Sequence, residues 1–196
     1  MKILIVGIPR SGTTSVYNSI KSQYSELSSF REPWFWRKNE QIDIDSYGGL
    51  LIKTQIFQKP NPILKRGYQL FDCLDFYREI VPKFDKVILL SRRNLNEAAV
   101  SYDHAFKSEN WQTEYSTDNL PRQWTINMYE VISNRIEILG NEFNLKVWYY
   151  EDLFNADNAN TIATFINNNN LDIKSEYIFS EYYNIKNKLR KQNGID

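Results

Sequence analysis

Ile3-Leu4-Ile5-Val6-Gly7-Ile8-Pro9-Arg10-Ser11-Gly12-Thr13-Thr14 is the stretch on which the fold turns. Ile3 to Val6 is a short unbroken run of β-branched residues and leucine, the pattern of a strand buried on both faces. A loop from Gly7 to Gly12 follows, and then Val16, Tyr17 and Ile20 fall on one face of a helix. Glycines let such a loop turn tightly, so that successive amides point at one anion, and the helix N-terminus adds partial positive charge. The plainer alternative is a glycine-containing turn with no ligand. The strand, the spacing, the cation Arg10 and the helix together favour an anion site.

Working outward, Leu50-Leu51-Ile52 is a second buried-strand pattern, Val87 to Leu90 a third and Leu145 to Tyr149 a fourth. Helical patterns alternate with them. Phe71 to Phe84 is amphipathic, with Phe71, Leu74, Ile80 and Val81 inward. Asn94 to Phe106 opens on a capping signature, Asn94 with Glu97 at the reciprocal position. A long helix is expected over Leu120 to Leu139 and a late one over Thr161 to Ile166, with the run Asn167 to Asn170 as a loop. Alternating strands and helices predict an α/β fold, a parallel β-sheet flanked by helices on both faces, and the loop after the first strand makes the expected type the P-loop nucleotide-binding one. No repeat or linker divides the 196 residues, which are read as one domain.

Composition narrows the function. Lys plus Arg and Asp plus Glu both number 24, so no general polyanion-binding field exists and no nucleic-acid partner is expected. Any anion site must be local. Cys73, the only cysteine, cannot form an intramolecular disulfide and reads as a small core residue, which suits a reducing compartment. The apolar run at the N-terminus is too short for a signal peptide and meets Pro9-Arg10 at once. No stretch approaches the ~20 apolar residues of a membrane span. A cytoplasmic protein with no membrane partner is the expectation.

The loop has the spacing of a nucleotide-triphosphatase loop with one departure. The lysine expected after the second glycine is Thr13, Thr14 keeps the hydroxyl, and Arg10 is the cation. An ordinary ATPase is disfavoured, because this loop lacks the lysine that reaches the β- and γ-phosphates. Pro9-Arg10-Ser11-Gly12-Thr13-Thr14 instead resembles the 5'-phosphosulfate loop of the sulfotransferases that use 3'-phosphoadenosine 5'-phosphosulfate (PAPS), whose members read Pro-Lys/Arg-Ser-Gly-Thr-Thr. The resemblance implies that Arg10, Ser11, Gly12, Thr13 and Thr14 hold the 5'-phosphate and the sulfuryl group without a metal. Ser91 to Tyr102 resembles the 3'-phosphate segment of that family, and the matching positions are Arg93 and Ser101. Arg92 matches no position there and is read as a surface residue.

Ile52-Lys53-Thr54-Gln55 resembles the Lys-Thr-His segment of the cytosolic branch, in which the lysine contacts the donor and the histidine is the base. Lys53 matches, but Gln55 stands where the base would be. Arg31-Glu32-Pro33-Trp34-Phe35-Trp36 resembles the Lys-Glu-Pro-His-Phe-Phe segment of the heparan-type branch, whose glutamate is the general base. By that resemblance Glu32 takes the acceptor's proton, and the aromatic run beside it either walls the acceptor or packs in the core. A carboxylate simply paired with a nearby cation is the alternative for Glu32. His104, the only histidine, lies after Ser101 and is not assigned the role. Tyr149-Tyr150-Glu151-Asp152-Leu153 resembles a family junction whose role is mainly structural. The basic tail, Lys186 to Lys191, shares only its character with family tails that fold over the nucleotide, so Lys188 and Arg190 read chiefly as a solvated face.

The expected function is transfer of a sulfuryl group from PAPS to a hydroxyl or amine acceptor, a carbohydrate being one of several open classes. The product is adenosine 3',5'-bisphosphate (PAP). Glu32 is the expected base, and Lys53 and Arg10 the expected electrostatic catalysts. A degenerate relative that binds PAPS or PAP without turnover is the rival, and a phosphotransferase on the same loop a weaker one. Composition and motifs leave the oligomeric state unread.

Overall fold

The computed structural model describes residues 1–34, 41–57, 73–108, 120–154 and 159–171. Phe35 and Trp36 of the aromatic run, Phe71 of the second helix pattern, and the basic tail with Lys188 and Arg190 lie outside the described residues. Among those described, five strands form one parallel sheet: β1 (Lys2–Gly7), β2 (Ser28–Arg31), β3 (Leu50–Gln55), β4 (Lys86–Ser91) and β5 (Val147–Tyr149). Their spatial order is β2-β3-β1-β4-β5. The helices are α1 (Thr13–Gln23), α2 (Leu74–Ile80), α3 (Leu95–Ser108), α4 (Gln123–Glu142), the single turn α5 (Tyr150–Leu153) and α6 (Ala159–Asn168). Short 3-10 turns lie at Ile44–Ser46 and Val81–Lys83.

Alternation along the strands divides the core in two. Ile3, Ile5, Leu51, Ile88 and Leu90 pack with Val16, Tyr17 and Ile20 of α1 and with Phe165 of α6. Leu4, Val6, Leu50, Ile52 and Leu89 pack on the opposite face with α2, α3 and α4. Helices therefore cover both faces of the sheet, as the continuous apolar strands require. The β1–β2 connection steps one way along the sheet with α1 on one face. The β3–β4 and β4–β5 connections step the other way with α2, α3 and α4 on the opposite face. A common hand for all crossovers demands that pairing of direction and face. The chain leaving β1 and the chain leaving β4 thus diverge, and a crevice opens between them at the carboxyl ends, where ligands of open α/β sheets gather.

Several boundaries differ from the sequence reading for physical reasons. β2 is not apparent in the sequence because it is an edge strand of four half-exposed or exposed residues paired only with β3. The second helix stops at Ile80 rather than Phe84 because Pro82 has no N–H to continue it. The capping box is half made: the amide of Glu97 donates to Asn94 Oδ1 at 3.0 Å, but the Asn94 amide donates to Glu151 rather than to Glu97. Asn167 and Asn168 finish α6 instead of lying in a loop, and Asn170 turns the chain at φ 46°. Cys73 is buried, as its apolar surroundings implied. No helix among the described residues is long and apolar enough to cross a membrane.

One buried carboxylate joins α3 to α4. Asp103 accepts from Arg122 Nε at 3.0 Å, from the Arg122 amide at 2.8 Å and from Thr125 Oγ1 at 2.7 Å. Burial works against its ionisation, but the bonds from Arg122 and Thr125 outweigh it and hold the carboxyl below its ordinary value of 3.8. A lowered folded-state value means that the contribution is fully present above the unfolded value and is lost as pH falls through the folded one. Asp103→Asn should cost about 1–3 kcal/mol at neutral pH. In urea titrations at stepped pH, the gap from wild type should close below pH 3.8; a gap independent of pH would mean that the charge is not what holds the helices.

Candidate active site at the carboxyl ends of the strands

The loop after β1 is held by its carbonyls. The carbonyl of Gly7 accepts from the Ile56 amide at 3.0 Å, and that of Ile8 from the Ser11 hydroxyl at 2.7 Å. Tyr129 on α4 donates its hydroxyl to the Pro9 carbonyl at 3.1 Å, and Arg92 Nη1 donates to the Arg10 carbonyl at 3.4 Å. The Gly12 carbonyl takes the amide of Val16 at 3.1 Å. Among the described residues no acceptor meets the amides of Ser11, Gly12, Thr13 or Thr14. The loop therefore turns satisfied acceptors inward and leaves a row of donors at the start of α1, whose first turn contains no acidic side chain. Such a row, with the helix macrodipole behind it, is a ready anion site.

Two glycines permit this geometry. A Cβ on Gly7 would lie 2.8 Å from Ser11 Oγ and 2.9 Å from the Leu90 carbonyl. Gly12 has φ +79°, and a Cβ there would run into the ring of Phe154. Arg10 also has positive φ, at 64°, and so does Glu32, at 52°. The other two non-glycine residues with positive φ among those described are Asn144 and Asn170, a residue type that tolerates the conformation. Among the described residues, positive φ at positions other than glycine and asparagine occurs only at two predicted site residues, both past the end of a strand.

A second cluster sits at the ends of β2 and β3, whose register sets Arg31 beside Lys53. Lys53, only 1% exposed, pairs its ammonium with Glu32 Oε1. Gln55 Nε2 donates to the same oxygen at 3.3 Å, and the Glu32 amide donates to the Lys53 carbonyl at 2.6 Å. The cation that engages Glu32 is therefore Lys53, from the neighbouring strand. Behind them, Tyr77 on α2 donates to the Gln55 carbonyl at 2.7 Å and lies 3.2 Å from Thr54 Oγ1. Burial raises the Tyr77 and Tyr129 hydroxyls well above the ordinary tyrosine value, so each stays a donor. Trp34 packs edge-on against Phe76 at 4.9 Å and is buried, which settles its role as core.

The predicted second phosphate segment follows β4. Arg93, 54% exposed at its side chain, places both terminal nitrogens on the Asp152 carboxylate, with Nη2 to Oδ2 at 2.7 Å. Its guanidinium lies 4.3 Å over the ring of Tyr149. Burial and a hydrogen bond to Glu137 push the Tyr149 hydroxyl up to about 12, so the ring is that of a neutral phenol. Ser101, buried on α3, accepts from Arg10 Nε at 2.7 Å. Ser101 is thus joined to the first loop, while Arg93 leans toward β5.

Arg92 overturns its sequence reading. It is 5% exposed rather than a surface residue, because β5 runs beside β4 in a register that pairs Ser91 with Tyr149. Glu151 and Tyr150 therefore fall alongside Arg92, and Glu97 reaches it from α3 at 3.0 Å. Tyr129, Tyr77 and Glu151 were likewise not read as parts of the site. The complementary pairs Arg92-Arg93 and Glu151-Asp152 were visible, but only the adjacency of β4 and β5 makes them partners. His104 is half-buried on α3. No group of three His, Cys, Asp or Glu side chains that could hold a metal occurs among the described residues.

No protein-family model matches the chain, and no curated protein matches it either. Gly12→Ala should cost at least about 1–2 kcal/mol for the left-handed backbone alone, with more from displacement of Phe154. Gly12→Ala combined with Phe154→Ala should keep that backbone penalty when set against Phe154→Ala alone, in a calorimetric comparison of thermal midpoints. An unchanged midpoint in Gly12→Ala would mean that the loop does not hold the described conformation.

Proposed function

We propose that the chain transfers a sulfuryl group from PAPS to a hydroxyl or amine acceptor. The observation that carries this reading is the loop in which the carbonyls of Gly7, Ile8, Pro9, Arg10 and Gly12 are engaged while the amides of Ser11 to Thr14 have no acceptor among the described residues, with Arg10 and Ser101 beside them. The resemblance of this loop and of the Arg93–Ser101 segment to the PAPS-dependent family supplies the identity of the anion. The amides of Ser11, Gly12, Thr13 and Thr14, with Arg10, would take the 5'-phosphosulfate. Arg93 and Ser101 would take the 3'-phosphate, Arg93 exchanging the Asp152 carboxylate for a dianion of the same forked geometry.

The acceptor oxygen attacks sulfur in line as the bond from sulfur to the bridging phosphate oxygen breaks. The electron pair of that bond leaves with PAP, and the acceptor's proton passes to the Glu32 carboxylate. Lys53, already on Glu32, is within the same cluster to neutralise the charge that grows on the bridging oxygen, and Arg10 acts on the sulfuryl oxygens. The rival reading, a protein that binds PAPS or PAP without turnover, draws on Gln55, which cannot accept a proton and which engages Glu32.

Calorimetric titration should show PAP binding far more tightly than AMP or ATP; equal affinity for AMP would remove the 3'-phosphate site. Turnover should survive EDTA, and its loss with restoration by magnesium would turn the reading toward a phosphotransferase. Glu32→Gln should leave PAP affinity nearly unchanged and lower turnover by roughly 10²–10⁴-fold. His104→Asn is the control, and loss of turnover in it alone would move the base to His104. A wild type inactive against a broad acceptor panel, hydrolysis of PAPS by water included, would favour the binder.

A further inference from the structure

We propose that Arg92 is a positioning residue: it joins the loop after β1 to the turn after β4, so that the two phosphate sites keep a fixed separation. The proposal rests on the nucleotide reading above for what is positioned, and on contacts in the ligand-free chain for how. Each guanidinium nitrogen has a separate partner. Nη1 donates to the Arg10 carbonyl at 3.4 Å, Nη2 meets Glu97 Oε1 at 3.0 Å, and Nε donates to Glu151 Oε1 at 3.4 Å. One flat side of the group lies 4.4 Å over the ring of Tyr150. With three directions and a face engaged, and two carboxylates against its charge, Arg92 is built as a brace and not as a phosphate ligand. A lysine would keep the charge, but its compact ammonium has neither the rigid planar span of the guanidinium nor a flat face to lay on Tyr150.

These contacts close a ring through the site. Arg92 holds the Arg10 backbone, and Arg10 Nε donates to Ser101 Oγ at 2.7 Å. Ser101 lies four residues after Glu97 on α3, on the same side of the helix, and Glu97 returns to Arg92. Glu151 extends the ring to the second turn. It accepts the amides of Arg93 at 3.0 Å and Asn94 at 3.2 Å while it engages Arg92. Arg10 sits at φ 64°, a conformation that persists only when its surroundings over-determine it, and the Arg92 bond is one of those determinants. Tyr150 stacks on Phe154 at 4.9 Å, and Phe154 covers the Cα of Gly12, so the face of Arg92 is connected to the loop by a second route.

The test uses Arg92→Lys, with Glu97→Gln as a second variant that removes one arm of the brace and leaves Arg92 in place. Three quantities are measured on the full chain: the thermal midpoint, the amide NMR resonances of the ligand-free protein, and the affinities for PAP and AMP. In Arg92→Lys the resonances of Arg10 to Thr14 and of Arg93 to Ser101 should shift together. PAP should bind about 10–100-fold more weakly, by analogy with the loss of groups that orient metal ligands, and the preference for PAP over AMP should narrow. Glu97→Gln should move the same resonances by less. A residue that only stabilises the fold would lower the midpoint while leaving the loop resonances and the PAP-to-AMP ratio of the folded protein as in wild type, and that result overturns the proposal. Should wild type bind neither nucleotide, the nucleotide reading fails by itself. The resonances then still decide the brace, because shifts confined to Arg92 and its strand neighbours would refute it.

Discussion

The arrangement depends on a loop in which the carbonyls of Gly7 to Arg10 and of Gly12 are engaged from within the protein. Ser11 supplies one donor, and Ile56, Tyr129, Arg92 and Val16 supply others from the end of β3, from α4, from the end of β4 and from α1. A peptide plane has its C=O and N–H on opposite sides, so tying down the acceptors points the donors outward. Buried carbonyls left unpaired would each cost about 1–3 kcal/mol, which makes these ties a condition of the fold as well as of the site. The two faces of the sheet cooperate here: α1 carries the donors on one side, and α4 braces the loop from the other.

The same logic governs the charges. Lys53 and Arg92 are buried, and each stands against a carboxylate that follows a neighbouring strand, Glu32 after β2 and Glu151 after β5. An ion buried without a partner would be costly, so each pairing constrains the ends of two strands at once. For Lys53 the partner is Glu32, which couples this ion pair to the β2–β3 register. For Arg92, Glu151 ties the end of β4 to β5, and the bond to the Arg10 carbonyl ties it to the loop after β1. Buried tyrosine hydroxyls do the remaining work: Tyr77 fixes the end of β3, and Tyr129 fixes the loop.

Much of the framework was legible in the residues taken alone. β1, β3, β4 and the loop could be read because a strand buried on both faces needs consecutive apolar residues and a tight turn needs glycine. α3 and α4 were found to within a few residues because their apolar stripes recur at helical spacing. β2 was not legible, since an edge strand need not be apolar. The early end of α2 was written in Pro82, yet an amphipathic pattern running past it obscured the stop.

What the sequence determined by itself is the set of local chemistries: where donors gather, which residues can ionise, and that glycines let the loop turn tightly. Only the tertiary structure decided who faces whom. Arg92 and Arg93 are adjacent in the chain and look interchangeable, yet one is buried in a ring of partners and the other reaches solvent beside Asp152. Glu32 and Lys53 are 21 residues apart, and Arg10 and Ser101 are 91 apart. Spacing along the chain holds no record of such pairs, because they are created by the strand order β2-β3-β1-β4-β5, which brings the carboxyl ends of strands distant in sequence side by side.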